Sequence, residues 1–225
     1  MAAPRVKEVS RIEAFSDAVF ALSATLLVVS LEVPDNFKEL INGLYGFIAF
    51  AFSFAMLIFI WSQHNSFFRK YNLQDGATIF WNSLLLFVIL FYVYPLKYIS
   101  IGLVSSFIDI DSAGMVISNV SELKQLFIIY GSGFIFVFLN FVMLYRHALS
   151  KASELELTER DIFDGKALLQ YHLIFVLIGL ISVLITIFNL GVTKGVPGWI
   201  YGLLGPVLFW HGRYQNKKRQ NKFDS

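Results

Sequence analysis

The chain reads as an all-α membrane protein with six transmembrane helices, and composition, the length of the apolar runs and the placement of cations each predict it. Of the 225 residues, 56% are hydrophobic and 15% charged, whereas soluble domains carry roughly a quarter charged residues. Too few charges are present to coat a globule. A soluble fold would also interrupt its apolar runs every few positions, because one face of each element meets water. In hydrocarbon no solvent satisfies backbone N–H and C=O groups, so each run must satisfy its own as a helix. That requirement overrides the strand preference of the 24 Phe residues.

A hydrocarbon core of about 30 Å takes roughly 20 helical residues. Stretches of that order cover residues 15–33, 44–67, 79–96, 126–145, 168–190 and 197–214, which together make residues 1–225 a single transmembrane domain. The first reads as a mature helix rather than a signal peptide, because Asp17 interrupts it and no small-residue cleavage site follows. In the third, apolar residues continue past Pro95 and Lys97 to Ile108. That pattern fits one long kinked helix or a span followed by an interfacial piece. The interiors of the fourth, fifth and sixth spans are read as lacking an acid or base, and Gly198, Gly202 and Gly205 of the sixth as a small-residue packing surface.

Orientation follows from the cations. Fourteen of the 18 Lys and Arg residues fall on the side that holds both termini, with Lys38, Lys97, Lys124 and Lys194 opposite. Cytoplasmic segments carry the excess of Lys and Arg, so both termini are expected to be cytoplasmic; the expected bilayer is the cell membrane. The tail bearing Arg213, Lys217, Lys218, Arg219 and Lys222 is then a topology and lipid anchor. With a net charge of only +2, nucleic acid is not an expected partner. The absence of Cys removes disulfides and thiolate metal sites.

Ionisable residues inside a membrane are costly and mark function by default. Here no nucleophile, base and acid come together, which argues against an enzyme, and no protonatable group marks the midplane as a proton-coupled carrier requires. At the end where the first span begins, the topology brings Arg11, Ser16 and Asp17 to the depth of Trp61 and His64 on the second span and Asn82 on the third. A hydrogen-bonded cluster joining three helices would satisfy Asp17 and Arg11 there. Its simplest role is structural; a sharper one lets protonation of His64 alter activity. On the first span Leu22, Thr25, Leu26 and Val29 recur at i, i+3, i+4 and i+7 and share a face, whose plain reading is packing and whose functional one is a pore wall. Ser16, Ser23 and Ser30, seven residues apart on another face, read as close helix contact or bonding to the i−4 carbonyl.

The run Arg11-Ile12-Glu13-Ala14-Phe15-Ser16-Asp17 resembles the Arg-x-x-x-Phe-Ser-Asp signature of the transmembrane protein 175 family of potassium channels. Trp61, His64 and Phe68 resemble that family's Trp-x-x-His segment, and Asn82, Leu84, Leu85, Leu86 and Pro95 its third helix. The resemblance covers about the first hundred residues by motif and the remainder by helix count. It implies a homotetramer in which four first helices surround a central pore, without the Thr-Val-Gly-Tyr-Gly filter of other potassium channels. It also implies roles for the stripe: Leu22 as the constriction and gate, with Leu26 and Val29 further along the pore, and Thr25 as a hydroxyl ring that holds K+ transiently and gives modest selectivity. Arg11, Phe15, Ser16, Asp17, Trp61, His64 and Asn82 form the structural polar cluster. Beyond permeant K+ no cofactor or metal is expected. The other readings are a secondary transporter, for which inverted repeats and broken helices are not seen in the sequence, and a non-conducting scaffold.

Overall fold

The computed structural model describes residues 9–29, 36–106 and 117–223, with the backbone alone at residues 29 and 38–45. Five long helices come first: α1 (Arg11–Val29), α2 (Phe37–Tyr71), α3 (Gly76–Ser105), α4 (Val120–Ser150) and α5 (Glu159–Ile187). A 3-10 turn (Val192–Lys194), the short α6 (Val196–Trp199), a second 3-10 turn (Ile200–Leu203) and α7 (Leu204–Phe223) follow. Every regular element among the described residues is helical. Gly46–Tyr71 within α2, together with α3, α4 and α5, are long and apolar enough to cross a membrane. α1 opens with Arg11, Glu13 and Asp17 before turning apolar, and residues 30–33 of the expected first span lie outside the described residues.

Local chemistry sets the helix ends. Ser10 and Glu13 form a reciprocal cap at the start of α1: the Ser10 amide donates to Glu13 Oε2 at 2.9 Å and the Glu13 amide to Ser10 Oγ at 3.3 Å. Asn72, at φ 49°, ends α2, a conformation that Asn tolerates better than most residues. Asp75 then caps α3 by accepting from the Thr78 amide. The α3 helix continues through Pro95 and Lys97 to Ser105, which decides for the long helix over the interfacial piece. Pro95 has no N–H for the Phe91 carbonyl, a loss a long helix held by neighbours absorbs.

The sixth span departs from the expected single helix over 197–214. Gly191 and Gly195, at φ 67° and 69°, turn the chain. Pro197 and Pro206 then each remove a donor within nine residues of each other, so the intervening backbone tightens into the 3-10 turn at Ile200–Leu203. Ser182 Oγ donates to the Pro197 carbonyl at 2.8 Å and holds the break against α5. Of the three glycines read as a packing surface, Gly198 would bring a Cβ against Phe127, whereas among the described residues none lies within 4 Å of a Cβ at Gly202 or Gly205. Beyond the break α7 carries the basic tail as helix to Phe223.

The core lies between α4 and α5, with α3 and α2 against them. Close approach of this pair depends on Gly179, where a Cβ would stand 2.8 Å from Ile135. Phe138 stacks on Phe175 with ring centroids 4.1 Å apart, and Phe134, Phe59 and Tyr201 extend the array. Such ring pairs contribute about 0.5–1.5 kcal/mol each beyond area burial. His172 in α5 contradicts the reading of that span as lacking a base: it is fully buried among Phe138, Phe141 and Tyr145, and its Nδ1–H donates to the Leu168 carbonyl.

Candidate functional site

α1 has two faces of different chemistry. Ser16, Phe20, Ser23 and Leu27, spaced by three and four, are buried against the protein's own helices. The Ser16 and Ser23 hydroxyls donate to the carbonyls of Ile12 and Val19 at 2.7 and 2.9 Å, so this serine row serves helix contact. Opposite it, Phe15, Leu22, Thr25 and Val28 are exposed, with Leu22 51% exposed. Ala14, Ala18 and Ala21 lie between them on the same open face. Thr25 Oγ1 donates to the Ala21 carbonyl at 2.9 Å. With its proton engaged along the helix, the hydroxyl oxygen offers lone pairs outward.

The four stripe residues therefore differ in placement. Leu22 and Thr25 lie on the open face, whereas Leu26 is half-buried and packs against the core. Leu26 stands about 100° round the helix from Thr25, which turns it toward the seam. Val29 ends α1, and its side chain lies outside the described residues. Val28, 49% exposed, is an open-face residue that the spacing argument passed over because it took positions i, i+3, i+4 and i+7 from Leu22.

The polar cluster is built on the buried face. Ser16 Oγ gives its proton to Ile12, so it can only accept from Asn82, and Asn82 Nδ2 donates to it at 3.0 Å. That orients the amide so that Asn82 Oδ1 faces His64 Nε2 at 2.8 Å, which makes Nε2 the protonated ring nitrogen. One directed chain thus runs from α2 through α3 to α1. His64 is itself buried, between Phe20 at 5.5 Å and Phe68 at 4.5 Å by ring centroid. Nearer the surface, Trp61 Nε1 donates to Asp17 Oδ1 at 2.7 Å.

Arg11 and Phe15 are exposed and stand apart from this set. Among the described residues no ion pair joins Arg11 to Asp17, against the expectation that one cluster satisfies both. Six residues of helix separate them by about 9 Å of rise and 240° of rotation. Trp61 supplies the partner for Asp17 instead.

A further polar junction, missed in the sequence, joins the α2–α3 turn to the end of α4. Asp75 accepts from His147 Nε2 at 2.8 and 3.0 Å and pairs with Lys151 at 3.1 Å. Burial alone would raise the Asp75 carboxyl, but the Thr78 amide, His147 and Lys151 outweigh it and hold the group well below the usual carboxylate range. Only the fold reveals it, since 72 residues separate Asp75 from His147. Among the described residues no group of three or more His, Cys, Asp or Glu side chains is placed to hold a metal ion.

A family model described as "Endosomal/lysosomal potassium channel TMEM175" matches residues 11–92, which span the α1 faces and the polar cluster. A "Potassium channel" from Marivirga tractuosa is 39% identical over 224 residues, covering 95% of this chain and 90% of its own length. The chain belongs to the TMEM175 family. As a TMEM175 protein it also matches solved structures. A crystal structure of a variant of the potassium channel MtTMEM175 superposes with a TM-score of 0.80 at 37% identity, covering 96% of this chain and 99% of that one. The lysosomal potassium-selective channel TMEM175 homolog from Chamaesiphon minutus matches with a TM-score of 0.50 at 25% identity, over 85% of this chain and 95% of its own. The TMEM175 likeness thus extends through the broken sixth span, well past the signature residues. Its relatives bear the names of channels, and none that of an enzyme.

Proposed function

We propose that this TMEM175 protein is a potassium-permeable cation channel in the cell membrane. It assembles as a homotetramer whose four α1 helices face a central pore. Each chain crosses six times, with both termini cytoplasmic. The observation that carries this reading is the division of α1: one face is held to α3, and through Asn82 to His64 of α2, by buried polar side chains, and the other leaves Leu22 and Thr25 exposed. A helix anchored on one side and open on the other suits a pore wall.

Four Leu22 side chains in a ring form the constriction, which closes by dewetting when the helices approach. Past it, four Thr25 oxygens stand in for part of the hydration shell. Potassium releases water more readily than sodium, so such a ring gives modest selectivity without carbonyl ligands. Leu26 and Val29 continue the apolar wall, with Leu26 nearest the contact between helices. No cofactor takes part; K+ is the cargo.

Reconstitution into potassium-loaded liposomes tests the reading. Potassium efflux that follows the electrochemical gradient at channel rates is the expected result. Absence of flux from protein of tetrameric mass would reject it.

A further inference from the structure

The cations of α7 divide between two sides of one helix. On the side packed against α5, Arg219 pairs with Asp164 at 3.0 Å, Lys222 with Glu159 at 3.3 Å, and Gln215 Nε2 donates to Gln170 at 2.7 Å. Phe163 and Phe223 close the contact. Turned away from α5, Trp210, Arg213, Tyr214 and Lys217 recur at i, i+3, i+4 and i+7, with Lys218 beside them. Trp210 is 77% exposed and Tyr214 63%. Arg213 lies over the Phe209 ring at 5.0 Å, and Arg213, Lys217 and Lys218 pair with no carboxylate among the described residues.

We propose that this face of α7 binds the phosphate of an anionic phospholipid in the adjoining leaflet, Arg213, Lys217 and Lys218 supplying the charge and Trp210 and Tyr214 the interfacial anchor. The inference rests on the membrane crossing proposed for the sixth span. Trp and Tyr settle where hydrocarbon meets headgroup, and Lys217 stands about 10 Å further along the helix from Trp210. Headgroup regions add only about 6 Å per leaflet, so Arg213 and Lys217 bracket the phosphate layer. The paired face fixes that height, because Arg219 and Lys222 hold the helix to α5.

Charge complementarity favours lipid over a second copy of the chain as the occupant. Among the described residues the carboxylates at this end of the bundle, Glu156 excepted, are engaged already: Glu13 with Ser10, Asp17 with Trp61, Asp75 with His147 and Lys151, Glu154 with Lys151, Asp161 with Thr158 and Lys70, and Glu159 and Asp164 with α7 itself. A second copy therefore brings little negative charge to meet three cations, whereas phosphatidylglycerol brings one per headgroup.

The test uses the full-length protein in a zwitterionic detergent, titrated with phosphatidylglycerol or phosphatidylcholine and followed by native mass spectrometry and thermal unfolding. Each cation near an anionic surface contributes roughly fivefold in affinity, so Arg213→Gln/Lys217→Gln/Lys218→Gln is expected to bind phosphatidylglycerol on the order of 100-fold more weakly. Phosphatidylcholine binding should not change. On the unaltered protein, the preference for phosphatidylglycerol should shrink as salt is raised; this arm stands even if the triple variant fails to fold. Equal binding of both lipids, a preference insensitive to salt, or an undiminished preference in a folded triple variant would each overturn the proposal. So would loss of assembly mass in the triple variant, which would show that a second copy covers this face. Because the readout is lipid binding, a failure of the channel reading in the flux assay leaves its outcome independent.

Discussion

Asn82 on α3 and Ser16 on α1, 66 residues apart in sequence, are joined by a buried hydrogen bond of 3.0 Å, and His64 on α2 closes the other end of the same amide. A single side chain therefore ties the helix with the open face to the two helices behind it. Asn82→Leu leaves Ser16 and His64 without that partner in an apolar surround, which costs about 1–3 kcal/mol. Lower thermal stability of the purified assembly is the expected outcome. Ser16→Ala takes the acceptor from Asn82 Nδ2 but keeps the Asn82–His64 bond, so it should cost less.

Leu22→Ala shortens the side chain proposed to form the constriction. Single-channel current should rise, by severalfold if the ring sets the narrowest point. An unchanged current would shift the gate along the helix toward Leu26 or Val29.

Thr25→Ala removes the oxygen that faces outward while the helix bond from Thr25 to Ala21 disappears with it. Reversal potentials under potassium and sodium gradients should move toward zero. Thr25→Ser keeps the hydroxyl and should keep most of the preference, which separates oxygen ligation from side-chain volume.

Asp75 gives a pH prediction. Its carboxyl is held below the ordinary range in the folded protein, so the folded state binds its proton less readily than the unfolded chain does. The stability this supplies is fully present above the unfolded carboxylate value near 4 and is lost as pH falls through the lower folded value. Thermal unfolding measured below about pH 4 should show a steeper decline than in Asp75→Asn. That variant should start lower at neutral pH, since Asn still caps the helix but carries no charge to pair with Lys151.

Gly179→Ala tests the α4–α5 seam. The added Cβ would stand 2.8 Å from Ile135 Cγ1 and 3.2 Å from Phe134. Both neighbours belong to the packed array, so the seam must open, at about 1–3 kcal/mol. Thermal unfolding reads the loss.

Long apolar stretches made four of the crossings plain in the sequence, because lipid leaves a helix as the only self-satisfying backbone. Asn82, His64 and Ser16 were also legible, since topology alone puts them at one depth. The broken sixth span was not. Apolar content hid the combined effect of Gly195, Pro197 and Pro206, which decides local geometry rather than hydropathy. Arg11 was misplaced for a related reason: shared depth does not fix rotation about a helix, and α1 turns Arg11 away from Asp17. Asp75 and His147 escaped notice because their meeting depends on how the α2–α3 turn docks on α4. Leu26, about 40° from Leu22 and 100° from Thr25 round the helix, falls at the edge of the open face, a distinction that requires knowing which side of α1 is covered.

Cysteine scanning of α1 measures the open face directly, and the chain contains no Cys of its own to confuse the labelling. Ala18→Cys, Leu22→Cys and Thr25→Cys should react with a charged, water-borne thiol reagent in reconstituted protein, and the reaction should block potassium flux. Ser16→Cys, Ser23→Cys and Leu27→Cys should stay unmodified. Labelling of the second set in preference to the first, or labelling of the first without any change in flux, would contradict a pore lined by this helix.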